Sequence, residues 1–365
     1  MRILHLSTWE TGGAAIAVTR LSNTLNNLGV TSSVLHMSSR FPAYIDAAIG
    51  KLAHFTNPIF HSYNYFGQNL SGKINEFKPD IIHIHWIGAG FVTPESIAKV
   101  NLPIVWTLHD LWSLCGAEHL PGSSRFQKGY LKSNRPQGDI GIDLDRYVWE
   151  RKIKCFKDLD ITYVAPSSYV YEQAKSAMAM DGHRLMHIPN GVDEKIFNNT
   201  KAKIAEKNIV LFVANNPGLD INKGYSDFQK AIRLLPAKLR QNIEVITVGG
   251  EVTSDTKMAE IYASATVTVV PSKMETLSYV TMESMACGTP VVAYAVGGIP
   301  DLIDHKVNGY LASPGDVKDL AHGIESILKS PKIATEYSKS GRAKIVKHFS
   351  MGNIAKRYLD LYRQI

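Results

Sequence analysis

Glu275 and Glu283 bracket residues 276–282, and the Leu277-Ser278-Tyr279-Val280 step between them leads from an apolar run into a helical pattern. In a strand–loop–helix unit, that spacing puts Glu275 at the carboxyl edge of a sheet and Glu283 about a turn into the next helix. Free backbone N–H groups at a helix start favour an anion, so Leu277, Ser278 and Tyr279 are predicted to face a diphosphate. A carboxylate placed like Glu283 accepts hydrogen bonds from the hydroxyls of a ribose. Gly12-Gly13 follows the first apolar run and makes a turn where backbone can approach a ligand. His83 and His85 alternate along one run and therefore share a face. With His109 and His119 they raise the question of a metal, but no Asp, Glu or Cys completes a ligand spacing, so none is predicted. Asp158-Leu159-Asp160 precedes an apolar run and is explained as a turn rather than a metal motif.

Positioning these groups takes a particular set of elements. Short apolar runs alternate with amphipathic stretches along the whole chain, the pattern of parallel strands covered by crossover helices, so the fold class is α/β. Residues 2–6 read as a first strand. Val18, Leu21, Leu25 and Leu28 then recur at helical spacing until Gly29 stops the helix. Strands follow at 31–37, 81–85, 104–108, 161–165 and 185–188. Dense turn chemistry at Pro189-Asn190-Gly191-Val192-Asp193, then a polar basic stretch at 198–208, marks a domain boundary. The scheme repeats with strands at 209–213, 243–248, 267–270 and 290–293. Met351, Ile354, Tyr358 and Leu361 form a last helical stripe, long enough to cross back to the first domain. The expected domains are 1–192 with 350–365, and 193–349.

The chain has 365 residues, 45% of them hydrophobic, enough for two domains each with its own core. The opening residues lack the pattern of a secretory signal, and no run is long enough to span a membrane. Cys115, Cys155 and Cys287 lie far apart, which fits a reducing cytoplasm rather than a disulfide framework. Forty Lys and Arg against thirty-three Asp and Glu give +7, an excess that suits an anionic ligand or an acidic membrane face and does not call for nucleic acid.

The stretch from Met274 to Val292, with its E-x7-E spacing and Ala286-Cys287-Gly288-Thr289-Pro290-Val291-Val292, resembles the signature of the family 4 retaining glycosyltransferases (glycosyltransferase group 1). Further landmarks fall in order. Gly12-Gly13-Ala14 resembles the family's glycine loop, and Pro189-Asn190-Gly191-Val192-Asp193 with Phe197 its interdomain element. Asn222-Lys223-Gly224 is similar to its diphosphate-binding position, and Gly297-Gly298-Ile299-Pro300-Asp301 to its GG-x-x-E. Trp106-Thr107-Leu108-His109-Asp110-Leu111-Trp112 resembles an element of a bacterial polysaccharide branch.

The resemblance implies a GT-B fold: two Rossmann-like parallel-sheet domains facing across a cleft, with the C-terminal helix packing back on the first. It also implies transfer of a hexosyl group, with retention, from a UDP- or GDP-sugar to a glycan or polyprenyl-linked acceptor in polysaccharide, lipopolysaccharide or capsule synthesis. By the same resemblance His109, Glu275 and Asp110 are catalytic. Glu275 holds sugar hydroxyls, His109 meets the donor sugar or acceptor hydroxyl, and Asp110 orients that imidazole or the acceptor. Gly12, Gly13, Lys223, Leu277, Ser278, Tyr279 and Glu283 bind the donor, with no cofactor and no essential metal. Asn215, Asn216 and Asn222 stand where the family usually adds a second basic residue, and Asn lacks that charge. The aromatic-rich 41–77 stretch (Phe41, Tyr44, Phe55, Phe60, Tyr63, Tyr65, Phe66, Phe77) is either ordinary core or a ledge for a lipid-linked acceptor. Arg125, Lys128, Lys132 and Arg135 are either a solvated loop or a phosphate contact at the inner face of the plasma membrane. Two alternatives stay open: a sugar-nucleotide epimerase or hydrolase of the same architecture, and a non-catalytic sugar-nucleotide-binding protein. A dinucleotide oxidoreductase is disfavoured, because G-x-G-x-x-G is absent.

Overall fold

In the computed structural model, which describes residues 1–51, 53–57, 60–198, 207–250, 252 and 254–365, the apolar runs become parallel strands. The first set is β1 (Arg2–Leu6), β2 (Thr31–Leu35), β3 (Ala53–His54), β4 (Ile81–Ile84), β5 (Ile104–Thr107), β6 (Ile140–Gly141), β7 (Ile161–Ala165) and β8 (Arg184–His187). Six of these form a sheet in the order β2-β1-β4-β5-β7-β8, while β3 and β6 pair antiparallel. Every residue of β4, β5 and β7 is buried, which explains why these runs show no polar alternation. The chain places β2 on one side of β1 and then β4 on the other. A parallel sheet opens a crevice at the carboxyl ends of its strands where the order reverses in this way.

The helix Gly13–Asn27 follows β1. Val18, Leu21 and Leu25 are buried along it, but Leu28, expected to extend the stripe, is 43% exposed and caps the end instead. Gly29, at φ 82°, supplies the left-handed turn that stops the helix.

A second sheet holds β9 (Asn208–Val213), β10 (Ile243–Val248), β11 (Val267–Val270), β12 (Val291–Tyr294) and β13 (Tyr310–Ala312), in the order β10-β9-β11-β12-β13. Its reversal lies between β9 and β11. Three residues are too few for a periodic signal, so β13 went unforeseen.

The chain divides into Met1–Ile188 with Ala355–Ile365, and Pro189–Ile354. The first break comes ahead of the turn rather than after residue 192, for a hydrogen-bonding reason. The Val192 N–H donates to the Phe349 carbonyl at 2.9 Å, and the Met351 N–H donates to the Val192 carbonyl at 2.8 Å. Gly191 is required here, because a Cβ would stand 2.9 Å from the Met351 Cα. The return falls at Ala355 rather than 350, and Tyr358 and Tyr362 are buried in the first unit. Residues 199–206 of the polar stretch lie outside the described residues.

Candidate functional site

In the second unit, the loops that leave β9 and β11 meet at the point of strand reversal. Asn222 ties them in both directions: its Nδ2 donates to the Met274 carbonyl at 2.9 Å, and its own carbonyl accepts from the Lys273 N–H at 2.8 Å. This strap brings Lys223 Nζ to 2.7 Å from Glu275 Oε1. The Glu275 carboxylate raises the Lys223 pKa, outweighing the opposing effect of burial, so the ammonium stays charged. The pair is partly exposed, and its own contribution to stability is about 0–1 kcal/mol.

Two glycines let the Glu275 loop sit this close. Gly224, at φ 71°, lies under the Pro271 carbonyl. Gly297, at φ 53°, lies against Glu275 itself, where a Cβ would come within 1.7 Å of the Glu275 carbonyl oxygen. The Gly298 N–H then holds that same oxygen at 3.1 Å. Gly297→Ala is therefore expected to cost about 3 kcal/mol of stability and to displace Glu275. A thermal melt matching the parent's would contradict that.

The helix Tyr279–Ala286 begins just beyond. Its cap, Ser278, accepts from the Thr281 N–H through Oγ at 3.3 Å, and the first-turn N–H groups of a helix have no partner within it. The Leu277 side chain is buried in the core, so what this residue offers a ligand is backbone. Glu283 is buried, and its Oε2 accepts from the Tyr262 hydroxyl at 3.2 Å.

In the first unit, Gly12 caps the opening helix at φ 92°, and nothing lies within 4 Å of where a Cβ of Gly12 or Gly13 would stand. Thr8 ties this loop to the one after β4, since its N–H and its hydroxyl both donate to the Trp86 carbonyl, at 2.7 and 3.0 Å. His109 follows β5 and is partly exposed. Its Nε2 is 2.9 Å from His85 Nδ1, and His85 Nε2 is in turn 3.0 Å from His5 Nδ1. Burial lowers the His109 pKa to about 4, against a smaller upward pull from Asp110, so the ring is neutral at pH 7.

Asp110 does not orient His109. Its Oδ2 binds His119 Nδ1 and the Trp86 indole N–H, each at 2.5 Å, and its Oδ1 accepts from the Trp112 N–H at 2.9 Å. Burial alone would raise its pKa, but these partners together hold it below the usual carboxylate range. The imidazole it engages is His119, and the group that holds His109 is His85.

The Glycosyltransferase Family 4 model matches residues 11–195, more than half of the chain, and the Glycosyl transferases group 1 model matches 250–344. The chain belongs to glycosyltransferase family 4. It is 36% identical over 115 residues to the alpha-maltose-1-phosphate synthase of Mycobacterium tuberculosis, a match spanning 30% of each. The sucrose-phosphate synthase of Thermosynechococcus elongatus has 20% identity and a TM-score of 0.71, with 100% of this chain and 98% of that one covered. Anabaena HepE in complex with UDP has 16% identity and a TM-score of 0.66, with 100% of both chains covered. At these identities the structures show the fold, which is GT-B.

Other expected contacts in the family 4 chain fall differently. Arg125 is 3% exposed and pairs with Asp143 at 2.6 Å, so it braces its own loop and is withdrawn from a phosphate. Lys128 and Lys132 are exposed. Of the aromatic stretch, Tyr63 is buried and Phe55, Tyr65 and Phe77 pack on the core, whereas Phe41, Tyr44, Phe60 and Phe66 are exposed.

The member that went unnoticed in the sequence is His5. It pairs in register with His83, and ring nitrogens of His5, His83 and His85 lie within 4.8 Å of one another, a histidine set that spacing along the chain had not revealed. Among the described residues, hydrogen bonds already engage all of these nitrogens except His5 Nε2. His83 Nδ1 meets the Tyr362 hydroxyl at 2.6 Å, and His83 Nε2 meets Thr107 Oγ1 at 2.8 Å. The sequence signal was a polar residue inside an apolar strand, and it acquires meaning only once β1 and β4 are known to be neighbours.

Proposed function

We propose that the protein is a retaining glycosyltransferase that moves a hexosyl group from a UDP- or GDP-sugar to a glycan or polyprenyl-linked acceptor in cell-surface polysaccharide synthesis, at the inner face of the plasma membrane. The observation that carries this is the 2.7 Å pairing of Lys223 with Glu275 where the strand order of the second sheet reverses. One partner is an ammonium that Glu275 keeps charged, suited to a diphosphate, and the other a carboxylate suited to sugar hydroxyls.

As the bond from the sugar to its phosphate lengthens, negative charge grows on the β-phosphate. Lys223 and the backbone N–H groups of Leu277-Ser278-Tyr279, where the chain enters the helix Tyr279–Ala286, stabilise that charge, and no divalent ion is required. Glu283 accepts from the ribose. In the first unit, Gly12 and Gly13 leave room for backbone to approach the phosphates, and neutral His109 hydrogen-bonds a sugar or acceptor hydroxyl. HepE was crystallised with UDP, which supports a nucleotide ligand for this fold. The exposed Phe41 and Tyr44, next to Arg40, support contact with an anionic surface.

The test incubates labelled UDP- and GDP-hexoses with polyprenyl-diphosphate-linked glycans in anionic vesicles, with EDTA present. Transfer of label with retained configuration is expected. Isomerisation or hydrolysis of the donor without acceptor would point to the epimerase or hydrolase instead, and donor binding without product to a binding protein.

A further inference from the structure

The chain His5–His85–His109 fixes more than the position of a ring. All three imidazoles lie in the first unit, their pKa values are lowered chiefly by burial, and the rings are neutral at pH 7, so each carries one proton. His85 sits in the middle, bonded through both nitrogens, and its single proton decides the direction of both hydrogen bonds.

Only two arrangements therefore satisfy both bonds. In one, His5 Nδ1–H donates to His85 Nε2 and His85 Nδ1–H donates to His109 Nε2, which leaves the His109 proton on Nδ1. In the other, every proton shifts along: His109 Nε2–H and His85 Nε2–H donate, and His5 must carry its proton on Nε2. His5 Nε2 is buried and, among the described residues, has no hydrogen-bond partner. The second arrangement would strand a buried N–H, whereas the first strands only a lone pair. Orphaned buried donors are the rarer of the two, so the first is favoured.

We infer that His85 and His5 are positioning residues that lock His109 with its proton on Nδ1, so that His109 meets a hydroxyl or phosphate oxygen as a hydrogen-bond donor and not as a base. This rests on the part given to His109 above. The same enclosure rules out a conduit, because a proton passed inward would have no exit at His5 Nε2. The groups packed against the chain maintain the lock. His83 lies with its ring centroid 4.1 Å from that of His85, and Thr107, Tyr358 and Tyr362 close the face with hydroxyls. Asp110 is the charge that acts on His109, and its oxygens are held by His119, Trp86 and Trp112.

The test is a nitrogen–proton spectrum of the whole protein labelled with nitrogen-15 at histidine, with the His109 signals assigned by their loss in His109→Gln. His109 and His85 should both show the Nδ1–H tautomer, unchanged from pH 6.5 to 8, with scalar couplings across both N–H···N bonds. In His85→Phe, His109 should become a tautomer mixture and turnover should fall about tenfold with little change in donor KM, while His85→Gln, which can donate and accept, should recover much of both. An Nε2–H tautomer at His109 in the wild-type protein, which needs no variant to fold, would overturn the inference. So would nitrogen shifts of metal-bound imidazole at His5 or His85. If the expected spectrum is found in a protein that transfers no sugar, the function fails and the lock stands.

Discussion

Lys223→Met is expected to lower the rate of sugar transfer by about 10²- to 10³-fold, the range seen when one preorganised group is removed from a developing oxyanion. Two effects act together. In the proposed mechanism the cation that offsets the leaving diphosphate is gone, and Glu275, whose partner Lys223 is at 2.7 Å, becomes an uncompensated carboxylate where the anionic donor is proposed to bind. Adding Glu275→Gln to Lys223→Met removes the second effect and not the first. The double variant should therefore regain donor affinity relative to Lys223→Met while transfer stays slow. The sequence makes the site sensitive, because Asn215, Asn216 and Asn222 provide no second charge to share the load. Steady-state rates and donor KM for the three proteins check this, and a Lys223→Met enzyme within threefold of wild type would refute it.

The second large effect is acid lability of the first unit. His5 is lowered to about 3 and His109 to about 4, while His83 and His85 fall well below the ordinary 6.5, in every case chiefly through burial. Between those folded values and 6.5 the unfolded chain binds more protons than the folded one, so stability rises with pH and is lost as pH falls through that window. Each histidine contributes a slope of about 1.4 kcal/mol per pH unit. Glu118, pushed up by burial and by Asp145, and Asp46, pushed up by burial, oppose this over part of the window, but they are two groups against the four histidines. The urea midpoint should thus fall steeply from pH 6.5 towards 4. All five tryptophans (Trp9, Trp86, Trp106, Trp112 and Trp149) lie in the first unit, so their fluorescence reports on it alone. Replacing His5 with Asn should flatten the slope by about one histidine's share. A midpoint that does not move with pH would show that these rings are charged or solvated.

What the sequence made legible was what local periodicity and turn chemistry control. The strands at 161–165, 243–248 and 267–270 fall on β7, β10 and β11. Glycine positions were readable as turns, but the reasons for Gly191 and Gly297 are close approaches to Met351 and Glu275, residues distant in sequence. The pairing of Lys223 with Glu275 follows from strand order, which places β11 beside β9 and so brings two remote loops together. Adjacency in sequence misled at Asp110, where a neighbouring histidine suggested a pair. Consecutive residues leaving a strand point to different sides, and Asp110 met His119 while His109 met His85. Arg125 misled for a similar reason, since its acid, Asp143, lies beyond the loop that looked free of acids.

A nucleotide diphosphate is expected to bind where Lys223 meets Glu275. Calorimetric titration of UDP and of GDP into the wild-type protein and into Lys223→Met tests it most directly. Saturable binding of one nucleotide to the wild type, weakened at least tenfold in the variant, is the predicted result. Equal affinity for the two proteins, or no binding of either nucleotide to the wild type, would contradict it.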